Sequence, residues 1–166
     1  MEIACLLDPV RDSKLLTPRA RERCYALVLA HALDYGVGLA SACEIDALGI
    51  VPATRLAMQR ALNFLTASPQ ALLIDALRLP QVDLPQEPLV RGDRTCLSIA
   101  AASILAKVTR DRLMVTLDSE YPGYGLAQHK GYGTRAHLAA LRARGSTPVH
   151  RHSYAPVWAI DEATHG

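Results

Sequence analysis

Two aspartates stand out for what they could hold. Asp75 closes the apolar run Ala71-Leu72-Leu73-Ile74, and Asp93 follows Arg91-Gly92 at the head of a long helix-forming stretch. In open α/β sheets, functional groups gather at the C-terminal ends of strands. Two carboxylates brought together there repel each other until a divalent cation relieves the repulsion. Mg²⁺ suits carboxylate oxygens and bridges to phosphate, and a pair of such ions can clamp an in-line displacement. Either aspartate alone serves equally well as a turn or cap residue. A second chemical feature is Lys130-Gly131-Tyr132-Gly133, a loop with a cation and an aromatic ring. A Tyr between glycines can lay its ring on a sugar or base and sense a 2′-hydroxyl, or it can pin a tight turn to the core. His129, His150 and His152 are metal ligands in principle, but they lack the spacing of a zinc site. Ser103 has no Gly-x-Ser-x-Gly elbow around it. Neither a Gly-x-x-x-x-Gly-Lys loop nor a Gly-x-Gly-x-x-Gly turn is present, which argues against a nucleotide cofactor.

These residues need elements to carry them. Asp93 opens the stretch from Arg91 to Arg112, whose first half is small and apolar and whose second half is basic. Leu97, Ala101, Ile104, Leu105 and Val108 recur with helical spacing and predict a buried stripe. Lys107, Arg110 and Arg112 put positive charge further along the same rod. The spacing predicts a helix to about Glu120, stopped by Pro122-Gly123. Upstream, residues 3–7 read as a strand closed by Asp8-Pro9, and residues 35–40 as a second. Thr17-Pro18 starts a helix with Cys24, Leu27, Val28 and Leu33 on its apolar face. Ser41 can cap a short helix through Ile45 and Leu48, and Pro52 opens another to about Thr66. Residues 71–74 read as a strand buried on both faces, and Leu89-Val90 as a short one after a Pro-rich connection. Residues 124–134 read as a Gly-rich loop. Thr134 caps a helix that Gly145 ends, and residues 147–154 read as a basic, loop-like tail. Strands alternating with helices imply an α/β architecture.

The 166 residues suit one domain with a sizeable core, half of them hydrophobic and only 5% aromatic. A net charge of +2 is too mild to indicate a nucleic-acid partner, so the placement of the basic residues is the informative feature. Cys5, Cys24, Cys43 and Cys96 are scattered and read as reduced thiols of a cytoplasmic protein. There is neither a basic signal-peptide start nor an uncharged apolar run of spanning length, so no membrane partner is expected.

Taken together, the motifs resemble those of bacterial ribonuclease HII, the type 2 ribonuclease H, over nearly the whole chain. The resemblance rests on Leu7-Asp8-Pro9, Arg11-Asp12-Ser13-Lys14, Tyr35-Gly36-Val37-Gly38, Glu44-Ile45-Asp46, Leu73-Ile74-Asp75 and Arg91-Gly92-Asp93. It continues through residues 97–113, Tyr121-Pro122-Gly123-Tyr124-Gly125, His129-Lys130-Gly131-Tyr132-Gly133-Thr134 and Pro148-Val149-His150-Arg151. It implies a ribonuclease H-like mixed sheet of five strands flanked by helices. The implied activity is endonucleolytic cleavage of the RNA strand of RNA/DNA hybrids, and of single ribonucleotides embedded in DNA, with Mg²⁺ or Mn²⁺. By the same resemblance Asp75 and Asp93 are two of four metal-binding carboxylates. Tyr132 reads the ribonucleotide beside the cut, and Lys14 contacts phosphate. Ser103, Lys107, Arg110 and Lys130 line the substrate path. The expected organisation is a single domain over residues 1–166, with residues 122–166 as a substrate-contacting loop and helix region in a monomer.

One family segment has no counterpart. The Asp-Glu-Ala-Gly-Arg-Gly strand, which supplies the other two carboxylates, does not occur in these residues. In the implied fold it is the first, central strand, between residues 3–7 and 71–74. Leaving its neighbours unpaired costs about 1–3 kcal/mol for each buried backbone group. The expectation is therefore an N-terminally truncated ribonuclease HII with impaired cleavage. The alternative is a non-catalytic remnant that binds hybrids.

Overall fold

The structure, a computed structural model, describes Val10 and residues 12–165, so the strand expected over residues 3–7 lies outside the described part. The fold is α/β and rich in helix, with eight helices and one parallel pair of short strands among the described residues. No helix there is long and apolar enough to cross a membrane. The chain divides into two compact units.

One unit comprises the described residues up to Leu39 together with Arg55–Thr109. Helix α1 (Pro18–His31) begins as its sequence dictates: the Thr17 side chain accepts from the Ala20 N–H, and Pro18 occupies the first turn. Cys24 and Val28, one turn apart, are buried. Leu33 is not on that face; it lies past the helix end and is fully exposed. The strand expected over residues 35–40 does not form. That segment crosses helix α3 (Ile50–Asn63) at close range instead. A Cβ at Gly36 would strike the Ala61 carbonyl oxygen, and one at Gly38 that of Ala57. Arg60 Nη1 fastens the segment by donating to the Leu39 carbonyl at 2.7 Å. The Asp34 carboxylate takes the Thr66 and Ala67 N–H groups at 2.6 and 2.9 Å, beyond the end of α3, which stops at Asn63 rather than near Thr66. The Ala67 N–H most, then the Thr66 hydroxyl and N–H, hold the half-buried Asp34 carboxyl down to about 2.

Strands β1 (Leu72–Asp75) and β2 (Gln86–Leu89) pair in parallel, Asp75 opposite Leu89. Leu72 and Ile74 are buried against Leu79, Met58 and Leu62, whereas Leu73 points outward. The strand is thus covered on one face, not two, among the described residues. The second strand also starts earlier than Leu89-Val90, because pairing with β1 sets its span and leaves Val90 in the turn, 79% exposed. Its start is tied down by Gln86. That amide accepts from Leu79 N and donates to the Leu79 and Val82 carbonyls, so a polar side chain closes the connection between the strands.

The long helix comes in two pieces. Helix α4 (Gly92–Thr95) ends where Cys96 turns extended, and helix α5 (Leu97–Glu120) follows. The buried stripe is Ile99, Ala100, Ile104, Leu105 and Val108; Leu97, first after the break, is exposed. In this unit Ala100, Ile104, Leu105 and Val108 pack with Val10, Cys24 and Val28.

The second unit comprises Ala40–Thr54 and the residues from Arg110 on. Helix α2 (Ala42–Leu48) carries a full capping box between Ser41 and Glu44. A short helix α6 (Leu126–His129) interrupts the loop expected over residues 124–134. Helix α7 (Arg135–Arg144) is capped by Thr134 and ended by Gly145 at φ +78°, as its sequence implies. A further helix, α8 (Ala155–His165), follows the stretch that reads as a basic tail. The Asp46 carboxylate receives the His152 and Ser153 N–H groups just before it, a long-range tie that no local motif announces. Tyr124, Leu126, Leu141 and Val157 form this unit's core.

Candidate active site

The acidic site of the first unit is built from the end of β1 and the turn after β2. Asp75 is the last residue of β1, and its Oδ1 accepts from the Gly92 backbone N–H at 3.0 Å. That bond docks one strand-end carboxylate on the residue preceding the other, Asp93. Arg91 takes a left-handed conformation to make the turn (φ 57°). Gly92 is buried, and a Cβ there would meet the end of the Ile99 side chain, which would have to shift to make room. Asp93 is buried as well, and Lys14 Nζ stands 3.4 Å from its Oδ2 with most of the lysine side chain in solvent.

The Lys14 backbone is held by Asp12, a residue of the same motif to which the sequence assigns no role. Asp12 is 1% exposed. It accepts the Lys14 backbone N–H at 2.9 Å and pairs with Arg94 Nε at 3.2 Å. The Lys14 N–H bond is the main reason its carboxyl lies below the usual range; burial opposes the shift and Arg94 supports it. Arg21 completes the brace by donating to the Ser13 and Leu16 carbonyls. The signal for Asp12 in the sequence is its place between Arg11 and Lys14. Its ion-pair partner is Arg94, 82 positions away.

The donors at Asp75 and Asp93 are carboxylate oxygens, the type Mg²⁺ and Mn²⁺ accept. Among the described residues no group of three His, Cys, Asp or Glu side chains is placed to hold a metal by itself. Mg²⁺ is commonly held by one or two carboxylates with waters and substrate phosphate, so an aspartate pair at one turn fits it. Further along α5, the Ser103 hydroxyl donates to the Ala100 carbonyl at 2.9 Å, and Lys107 is half-buried in the same unit.

The second unit holds the aromatic loop. Tyr132 is 59% exposed, and the Arg110 guanidinium carbon lies 5.3 Å from its ring centroid. Arg110 Nη1 is buried and has no hydrogen-bond partner among the described residues. Lys130 takes a left-handed conformation at the end of α6 (φ 52°), and Gly131 follows it at φ +75°. Beneath the loop lie three histidines. His129 stacks on His137 at 4.2 Å between centroids, and His137 Nε2 is 3.2 Å from His150 Nε2. His129 and His150, candidate metal ligands by residue type, thus have their ring nitrogens engaged within the protein. His152 pairs with Asp161 at 2.7 Å.

Asp75 at the end of β1, and Asp93 in α4 with Lys14 beside it, are side chains of the types that metal-assisted phosphate chemistry uses, on an α/β fold. The comparisons carry this further. The ribonuclease HII family model matches residues 7–157, and the chain belongs to that family of enzymes. It is 59% identical over 159 residues to a ribonuclease HII of Chloroflexus aggregans, covering 96% of this chain and 75% of that one. It is 52% identical over 148 residues to a ribonuclease HII of Dehalococcoides mccartyi, covering 89% and 70%. Among solved structures, ribonuclease H2 from Pyrococcus horikoshii superposes with a TM-score of 0.76 at 26% identity, covering 99% of this chain and 86% of that one.

Proposed function

We propose that the chain is an endonuclease acting on the RNA strand of RNA/DNA hybrids and on single ribonucleotides in DNA, with Mg²⁺ or Mn²⁺ held by Asp75 and Asp93. The observation that carries this is the Asp75–Gly92 hydrogen bond, which ties the carboxylate at the end of β1 to the residue before Asp93. Asp75 and Asp93 would hold the divalent ion, which would supply charge to activate a water and to stabilise the leaving 3′-oxygen. The protein's part is positioning. Asp75 is oriented by the Gly92 N–H, Asp93 is buried, and Lys14 stands beside it as a phosphate contact. Ser103, Lys107, Arg110 and Lys130 flank the nucleic-acid path, and Tyr132 distinguishes ribose from deoxyribose. Residues 122–166 form the substrate-contacting part of a single functional domain, working as a cytoplasmic monomer in DNA replication and repair.

Acting alone, the 166-residue polypeptide cleaves weakly, because it supplies two of the four carboxylates that the family motif implies. The test is a labelled duplex with one embedded ribonucleotide, in Mg²⁺ and in Mn²⁺, beside the Chloroflexus aggregans relative. Weak cutting that Asp75→Asn or Asp93→Asn removes supports the reading. A rate equal to the relative's overturns the weak-activity part. The second reading, a non-catalytic hybrid binder, is favoured by salt-dependent binding with no cleavage in either metal.

A further inference from the structure

We propose that His137 and His150, with His129 beside them, are positioning residues for Tyr132, joined in a one-way chain of hydrogen bonds through neutral imidazoles. The inference rests on the proposed nucleotide-reading role of Tyr132. Its support is a set of proton positions that the neighbouring backbone leaves no choice about.

The chain starts at Thr147, whose backbone N–H donates to His150 Nδ1 at 3.1 Å. An N–H can only donate, so Nδ1 is bare, and a neutral His150 carries its proton on Nε2. The Thr147 hydroxyl, 2.7 Å from the same Nδ1, can donate to it too. His150 Nε2–H then faces His137 Nε2 at 3.2 Å, which must accept. The remaining proton of His137 is therefore on Nδ1, and that nitrogen lies 3.0 Å from the Tyr132 carbonyl, which can only accept. Both ends dictate the same two tautomers, and every nitrogen in the chain has one role.

His129 repeats the logic alongside. The Gly131 N–H donates to its Nδ1 at 3.2 Å, so its proton sits on Nε2 and goes to the Tyr124 carbonyl at 2.7 Å. The residue before Tyr132 and Tyr132 itself are thus each held by an imidazole, while Arg110 lies against the exposed ring. Fixing the backbone at both residues narrows where that ring can point.

Charge breaks the chain. A second proton on His137 sets two N–H groups against each other at the His150 contact, and one on His150 Nδ1 faces the Thr147 N–H. The groups around the pair are His129, Tyr124, Tyr132 and Arg110 on the loop side, and His152 and Asp161 on the side of α8. Burial chiefly keeps both rings neutral by pulling their proton affinity below the ordinary value; a neighbouring imidazole helps in each case, and the Tyr132 carbonyl at His137 and Asp161 at His150 oppose it.

The experiment measures binding without turnover, by fluorescence anisotropy in metal-free buffer, to two duplexes that differ by one ribonucleotide. His137→Ala and His150→Ala are expected to lose about tenfold of the preference for the ribonucleotide, the scale of one hydrogen bond. Tyr132→Ala removes the preference, and adding His137→Ala to it changes nothing more. His137→Asn, which keeps a donor for the Tyr132 carbonyl, retains most of it. Lowering the pH from 8 to 5.5 weakens the wild-type preference and leaves Tyr132→Ala unaffected; this arm serves if an alanine variant does not fold. Folded His137→Ala with full preference, or losses that add to those of Tyr132→Ala, overturns the proposal. Imidazole ¹⁵N spectra separate it from the reading beneath it. Charged rings or the opposite tautomers at pH 7 refute the hydrogen-bond chain itself. Tyr132→Ala with undiminished preference refutes the nucleotide-reading role.

Discussion

The acidic turn of the first unit and the histidine loop of the second solve the same problem with opposite chemistry. Each holds a side chain of the proposed function still. Around Asp75, Asp93 and Asp12 the means is charge: carboxylates facing N–H groups, Lys14 and Arg94. Around Tyr132 it is direction: neutral rings in fixed tautomers, each nitrogen used once. Charge tolerates small displacements, because Coulomb attraction falls slowly with distance. A tautomer chain does not, because one misplaced proton turns attraction into repulsion. The acidic turn should therefore respond to the identity of its acids, and the histidine loop to pH.

The largest effect tests the acids. Asp93→Asn should abolish Mn²⁺ binding as seen by electron paramagnetic resonance. It should also lower residual cleavage by about a hundredfold or more, since the charge stabilisation at stake is several kcal/mol and each 1.36 kcal/mol is tenfold. Unchanged Mn²⁺ affinity would remove Asp93 from the site.

Next in size is Asp12→Ala, which leaves the Lys14 N–H without its acceptor and Arg94 without its partner. Urea denaturation should show a loss of about 1–3 kcal/mol. A variant as stable as the wild type would mean that the brace is dispensable.

Acid separates the two regions by where each gives way. His137 and His150 have folded-state values below their ordinary 6.5. The unfolded chain therefore binds more protons just below that pH, and their contribution is complete above 6.5 and lost as pH falls beneath it. Asp12 is shifted down from 3.8, so its contribution is complete above that value and is lost only at lower pH. Residue-resolved hydrogen exchange from pH 8 to 3 should show the Gly131 and Thr147 amides loosening first and the Lys14 amide last. Simultaneous loosening would erase the distinction.

The smallest effect belongs to Lys14→Met. Its ammonium is largely in solvent, so stability should change by no more than about 0.5 kcal/mol. The salt slope of duplex binding should fall by about one phosphate contact.

Local signals were legible wherever the residues that decide a feature are neighbours in the chain. Thr17-Pro18, the Ser41–Glu44 box, Pro52 in the first turn of α3, and Thr134 with Gly145 around α7 all act within one helical turn. The regions that read wrongly depend on distant partners. Residues 35–40 have strand-like composition, yet Gly36 and Gly38 exist to let α3 approach. The tail yields a helix after a segment held by Asp46, more than a hundred positions upstream. Asp75, Asp93 and Lys14 in the first unit and Tyr132 in the second stood out by type and motif, whereas Asp12 appeared only as one letter of the motif around Lys14 and His137 not at all, because an aspartate in a loop and a histidine in a helix are ordinary until their partners are known.

The sequence by itself determined the family, the α/β class, most helix ends and the acids and tyrosine worth testing, since motif and capping are matters of near neighbours. Only the tertiary structure decided that Asp75 docks on Gly92, that Asp12 is buried beneath Lys14, and that two histidines thirteen positions apart meet in a line of hydrogen bonds ending at the Tyr132 carbonyl. Hydrogen bonds act over about 3 Å, and only folding brings groups so far apart in the chain within that range.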